Sequence, residues 1–207
     1  MEELSMRVGI HGLAGAGKNS IGQLLADKLG YELYAYAVPL KELCAEFIPE
    51  LPWYGNKTEK ETEYPVRELN FNFKVNFGSE LGLRWDVLHA INVYFLDILE
   101  NKETITTREI LQYVGTDIVR KMQGHDFWVN LGQAKENVVI TDVRFVNELV
   151  DYNFKIVGGI SDSEDTHQSE LGIEDAYFDL SIQNPRTNNP EKQLKSIVSN
   201  IIEVLNG

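Results

Sequence analysis

The stretch Gly-Leu-Ala-Gly-Ala-Gly-Lys, Gly12 to Lys18, constrains this chain more than any other. Gly12, four residues, then Gly17 and Lys18 form a Walker A pattern. Its context makes it specific. Arg7 to His11 reads as a short strand with Val8 and Ile10 on one face. Ile21, Leu24, Leu25 and Leu29 then recur at helical spacing, and Gly30 closes that helix. Between strand and helix, Gly12, Gly15, Ala16 and Gly17 let backbone N–H groups close around phosphate oxygens. The helix N-terminus adds partial positive charge, and Lys18 reaches the β- and γ-phosphates. Asn19 stands where Ser or Thr is usual, with Ser20 next. Magnesium is still expected with the phosphates, and its protein ligand is Ser20, Asn19 through water, or Asp142.

The rest of the chain alternates strands and helices. Tyr31 to Ala37 reads as a strand, and Pro39 opens a helix to Phe47. Val138 to Thr141, ending at Asp142, has the continuous apolar character of a buried parallel strand. Asn147 to Tyr152 reads as helix, and Lys155 to Ile160 and Tyr177 to Ile182 as strands. Asn189 and Pro190 start a last helix as N-cap and first helical residue. The pattern predicts an α/β fold: a mainly parallel sheet flanked by helices, in one P-loop domain over 1–207. Residues 48–103 interrupt the alternation and read as an insert. Within the insert, 49–64 reads as a polar loop. Leu69, Phe71, Phe73, Val75 and Phe77 alternate with polar residues as a strand would. From Trp85 to Glu100 the pattern is helical, with Trp85, Leu88, Ile91, Phe95 and Leu99 on one side.

Composition narrows the function. Lys and Arg number 19 against 32 Asp and Glu, a net charge of -13. Duplex nucleic acid held by its backbone needs a basic face, so it is not an expected partner. A small anionic ligand needs only a local positive site. Cys44 is the single cysteine, which fits a reducing, cytoplasmic setting. The first residues lack the apolar segment of a signal peptide, and no apolar run is long enough for a membrane span.

Asp142 follows its strand in the manner of a Walker B carboxylate, where ligands of open α/β sheets gather. Arg144 precedes Glu148 by four residues, so on a helical turn the two would pair. Arg144 would then be aimed at a substrate phosphate and held by Glu148. Thr106 and Glu109 form a capping box for a helix to Met122. On a wheel of ~100° per residue, Ile110, Leu111, Val114, Ile118 and Met122 share one side. Arg108, Gln112, Gly115 and Thr116 gather on the other, with Arg120 at its edge. Gly115 costs ~1 kcal/mol against Ala in mid-helix, which suggests that a ligand or backbone comes close. Phosphoryl transfer between two anions needs several cations, and Arg108, Arg120 and Arg144 are the best candidates. Arg67, Arg84 and Arg186 are weaker. Trp128 packs in a core or stacks on a base. His89 reads as structural or solvated and not as a ligand, and His167, Ser169 and Glu170 as a patch on an acidic loop.

The set GLAGAGKNS, AYAVPLK, TREILQYVGTDIVRKMQGHDFWV, TDVRFVNEL and THQSE resembles the deoxynucleoside monophosphate kinases of tailed bacteriophages. These are P-loop proteins related in fold to adenylate-type kinases. The resemblance covers the N-terminal third and about 104–184. It implies transfer of the ATP γ-phosphate, with Mg2+, to a deoxynucleoside 5'-monophosphate in a host cytoplasm. It implies that the 48–103 insert serves the acceptor side, that 104–130 forms a helical lid, and that Arg108, Gln112, Gly115, Thr116 and Trp128 line the substrate and lid region. Asp142, Arg144 and Glu148 complete the site, and Asn184 sits near the adenine. Asn19 and Val38 stand where relatives commonly carry acids. A kinase for another small acceptor, such as dephospho-coenzyme A, and a non-catalytic nucleotide-binding protein are the alternatives. Partners are nucleotides, with pairing of the 69–77 strand as a route to a homodimer.

Overall fold

The computed structural model describes residues 5–13, 15–73, 77–158, 173–185 and 189–207. The chain forms two compact units, one of Met1–Tyr36 with Val129–Gly207 and one of Ala37–Trp128. The first unit begins with β1 (Arg7–Gly12), α1 (Lys18–Leu29) and β2 (Glu32–Tyr34). The second carries α2 (Val38–Phe47), α3 (Lys57–Glu61), β3 (Glu63–Pro65), α4 (Phe77–Glu80), α5 (Trp85–Asn101), β4 (Thr104–Thr106) and α6 (Thr107–Gln112). A π-helical segment (Tyr113–Arg120) and α7 (Lys121–Gln123) continue it. Then α8 (Phe127–Gln133) leads into β5 (Val138–Val143), β6 (Tyr152–Val157), β7 (Leu180–Gln183) and α9 (Pro190–Leu205).

In the first unit five parallel strands lie in the order β2-β5-β1-β6-β7. This is the mainly parallel α/β sheet that the sequence predicts. β1 sits in the middle: Val8 pairs with Val139 on one side and Tyr152 on the other. Because the strands are parallel, their C-terminal ends share one edge, where Gly12, Val143, Val157 and Gln183 end their strands. Chain leaving those ends supplies the candidate site, as open α/β sheets dictate.

One core cluster joins β1, β6, α1 and α9 through Val8, Ile10, Ile21, Leu25, Phe154, Ile156, Ile197, Val198 and Ile201, all at most 2% exposed. The last helix starts as expected, with the Asn189 side chain accepting the Lys192 N–H at 3.1 Å. Gly22 seats α1 against the sheet. A Cβ there would run into Thr141 Cγ2 and come within 3.2 Å of Leu33 Cδ1.

The second unit corrects several sequence-based expectations. The described part of the alternating stretch 69–77 is not a strand. Val66–Glu68 is a 3₁₀ turn, 69–73 is irregular, and Phe77 begins α4. The apolar positions answer to aromatic packing instead. Phe73 meets Phe47 edge-on at 6.3 Å, Phe71 stacks on Phe73, and the Asn72 N–H donates to the Phe47 carbonyl at 2.8 Å. The polar loop at 49–64 contains α3, closed by an Asn56–Glu59 capping box, and β3, which pairs antiparallel with β4. On α5 the buried face is Val87, Ile91, Tyr94, Phe95 and Ile98, while Trp85 and Leu99 are exposed. In the first unit, 147–152 is not a helix: Val146–Glu148 is a 3₁₀ turn, and β6 begins at Tyr152, three residues before the expected start. Among the described residues no helix is long and apolar enough to cross a membrane.

Replacing Gly22 by Ala tests the seating of α1. In a free helix the change is favourable by ~1 kcal/mol, whereas overpacking costs about 1–3 kcal/mol. The expected result is a lower urea midpoint than wild type; an unchanged or higher midpoint would refute the close packing.

Candidate functional site

The phosphate loop is built around positive backbone torsions. Gly12 has φ 157° and Gly17 φ 86°. A Cβ at Gly12 would also sit 2.6 Å from the Ile156 carbonyl oxygen. Gly17 is the N-cap of α1 and offers no capping side chain, and no acid stands in the first turn. The first N–H groups of the helix therefore remain for an anion. Lys18 folds back over the loop, donating to the carbonyls of Gly12 at 2.7 Å and Leu13 at 2.8 Å. Burial lowers the pKa of its amine, nearby Arg144 lowers it further, and Asp142 opposes both. A cavity of about 280 Å³ opens here, lined by Gly15, Gly17, Lys18, Asn19 and Ser20. Asn19 and Ser20 are exposed at its edge, and Ala14 lies outside the described residues.

Asp142 lies near the end of β5, half-buried, and one carboxylate oxygen accepts the Tyr36 N–H at 2.8 Å. The expected ion pair between Arg144 and Glu148 is not formed. Because 144–148 turns back instead of running as an α-helix, Glu148 points at the backbone. Its Oε2 accepts the N–H of Arg144 at 2.6 Å and of Phe145 at 3.2 Å. Glu148 is 4% exposed, and burial raises its pKa against those two hydrogen bonds. The Arg144 side chain is left exposed beside the strand end.

Tyr36 is the residue that sequence reasoning missed. It is buried, and its hydroxyl donates to the Glu148 carbonyl at 2.8 Å. With its N–H on Asp142, one residue grips both the carboxylate and the Arg144 turn. The available signal was a Tyr where a buried strand end would accept Phe, since a buried hydroxyl needs a partner. His11 ties the start of the loop to the same turn. Its Nδ1 lies 2.9 Å from the Val143 carbonyl, so that nitrogen carries the proton, and the ring stacks on Phe178 at 5.2 Å. Asn184 donates from Nδ2 to the Ala16 carbonyl at 2.9 Å. The structure thus brings Lys18, Asp142, Arg144, Glu148 and Asn184 to one edge of the first unit's sheet.

The other candidates lie on the second unit. Arg108 is held by Glu61 at 2.7 Å. Gln112 and Thr116 are exposed one turn apart, and Arg120 is half-buried with no hydrogen bond or ion pair among the described residues. The π-helical winding of 113–120 shifts residues away from a 100° wheel, so Gly115 does not join that side. It is buried, and a Cβ there would lie 2.6 Å from Leu40 Cδ2. The close neighbour expected at this glycine is thus a packed side chain. Trp128 is 3% exposed, and its Nε1 donates to the Gly115 carbonyl at 3.2 Å, so here it braces the segment. Arg84 pairs with Asp86 and Arg67 with Glu68 on the surface. Arg186, His167, Ser169 and Glu170 fall outside the described residues. Among the described residues no group of three His, Cys, Asp or Glu side chains could hold a metal alone.

No family model matches the chain. It is 28% identical, over 177 residues, to the deoxynucleoside-5'-monophosphate kinase of Escherichia phage T5, an alignment covering 70% of each protein. It is 29% identical, over 206 residues, to a provisionally named deoxynucleotide monophosphate kinase of Acanthamoeba polyphaga mimivirus, covering 87% of this chain and 89% of that one.

Two predictions test the clamp. Tyr36→Phe removes one hydroxyl and keeps the ring, so stability should fall by about 1 kcal/mol in urea. Amide exchange at Arg144 and Phe145 should accelerate; equal exchange in both proteins would refute the clamp. Burial lowers the His11 pKa below its ordinary value, with Lys155 and Lys18 adding to the effect. The unfolded chain then binds this proton more readily, so stability is full above the ordinary histidine pKa and falls as pH drops through it. His11→Asn should flatten the loss of urea midpoint between pH 7 and about 5.5.

Proposed function

We propose that the chain is a phosphotransferase of the kind its two viral relatives are named for, and that it transfers the γ-phosphoryl group of ATP to a deoxynucleoside 5'-monophosphate. An oxygen of the acceptor phosphate bonds to the γ-phosphorus. The bond from that phosphorus to the β–γ bridging oxygen breaks, and ADP leaves with a deoxynucleoside diphosphate. The acceptor oxygen is already anionic, so positioning and charge neutralisation carry the catalysis.

The observation that carries this reading is the uncapped α1 N-terminus under Lys18, beside Asp142 and Arg144 at the same sheet edge. The N–H groups of the loop take the donor phosphates. Lys18 exchanges two backbone carbonyls for phosphate oxygens, a change that its half-buried ammonium favours. The Arg144 guanidinium neutralises charge on the transferred group, while Glu148 and Tyr36 hold its backbone still. Arg108, Gln112 and Thr116, with Arg120, are assigned to the acceptor and lid side. Gly115 and Trp128 support them from within the packing. Ser20 at the cavity edge and Asp142 fit the oxygen ligands that Mg2+ prefers, and they would hold the ion that accompanies ATP and adds positive charge there.

A coupled ADP-release assay against deoxynucleoside monophosphates, ribonucleoside monophosphates and dephospho-coenzyme A tests the proposal. Turnover is expected with at least one deoxynucleoside monophosphate, and none with any monophosphate would overturn it. Lys18→Ala and Arg144→Ala should each lower kcat by about 10³-fold with the fold retained. Ser20→Ala should cost less than Asp142→Ala if Asp142 carries more of the magnesium.

A further inference from the structure

Asn184 follows β7 at the edge of the sheet, and the structure is shaped around it from three sides. Its N–H donates to the Val157 carbonyl at 2.7 Å, which fixes its backbone beside the end of β6. Next in the chain from Val157 stands Gly158, with φ 150°, where a Cβ would come within 2.5 Å of the Asn184 carbonyl oxygen. Across from it stands Gly17, where a Cβ would lie 2.8 Å from Asn184 Nδ2. The side chain spans the gap and donates to the Ala16 carbonyl at 2.9 Å. Two glycines far apart in sequence thus leave room for one amide.

That hydrogen bond acts on a peptide plane. In a trans peptide the carbonyl and the following N–H point in opposite directions. Holding the Ala16 oxygen toward Asn184 therefore aims the Gly17 N–H the other way. Gly17 lines the cavity of the phosphate loop. Its positive φ has no steric barrier to reorganisation, so this donor needs an outside restraint to be preorganised.

We propose that Asn184 is a positioning residue for the phosphate loop, acting through the Ala16–Gly17 peptide on the polyphosphate of the nucleotide and not on its base. This rests on the reading that the loop holds the donor phosphates. It differs from the placement near adenine that the family resemblance implies, and the two make opposite predictions for a ligand with no base.

Calorimetry with ATP and with inorganic tripolyphosphate, on wild type, Asn184→Ala, Asn184→Asp and Lys18→Ala, separates them. Asn184→Ala should weaken both ligands by a similar factor of about ten, the worth of a hydrogen bond. Asn184→Asp keeps the shape but sets an oxygen against the Ala16 carbonyl, and should weaken both more. In steady state the KM for ATP should rise while kcat stays within about threefold, since a donor ordered for ground-state binding acts uniformly. A loss confined to ATP, with tripolyphosphate unchanged, would assign Asn184 to the base and overturn the proposal. Unchanged affinity for both in the two Asn184 variants would overturn it as well. If wild type binds neither ligand, or Lys18→Ala binds both as wild type does, the phosphate-loop reading itself fails and the proposal falls with it. Circular dichroism of both Asn184 variants checks the fold, and the isosteric Asp variant remains informative if the Ala variant unfolds.

Discussion

Helix α1 starts on a glycine that cannot cap it. Glycine there costs about a few tenths of a kcal/mol against a capping side chain, and the neighbouring structure offsets that cost. Ile21 and Leu25 bury fully in the sheet core, and Gly22 lets the helix sit close to β5. Ala16 is 1% exposed, so the loop is anchored by an apolar residue in its middle. The open donors are thus held by packing on one side and by hydrogen bonds from Lys18 and Asn184 on the other.

The charge distribution follows from the same arrangement. A chain with net charge -13 keeps Arg144 close enough to Lys18 to add to the effect of burial in lowering the pKa of its amine. Asp142 opposes that effect, while Glu148 spends its hydrogen bonds on the backbone N–H groups of Arg144 and Phe145. An anion entering the loop relieves the repulsion, so the unfavourable proximity of two cations favours binding.

The core of the fold was legible because periodicity and spacing determine it. Val8 and Ile10, the helix after Lys18, the apolar run before Asp142 and the Asn189–Pro190 start each rest on local rules. The misses occurred where tertiary partners decide. Leu69 to Phe77 alternates like a strand, but its described part, 69–73, is irregular, and Phe73 packs edge-on against Phe47. The wheel through Gly115 assumed 3.6 residues per turn across a π-helical segment. Arg144 and Glu148 have the spacing of an ion pair, yet the chain reverses between them and the carboxylate takes the backbone. Tyr36 and Asn184 act through carbonyls 112 and 168 residues away in sequence, a relation that no local pattern contains.

The chain leaves the first unit after Tyr36 and re-enters it at Val129. Both residues belong to one apolar cluster with Tyr34, Val138, Ile140 and Val143. The excursion of Ala37–Trp128 therefore begins and ends at a single anchorage, and the five-stranded sheet closes without it. An insertion or deletion within Ala37–Trp128 therefore need not change the register of β1, which feeds directly into the Gly12–Lys18 loop.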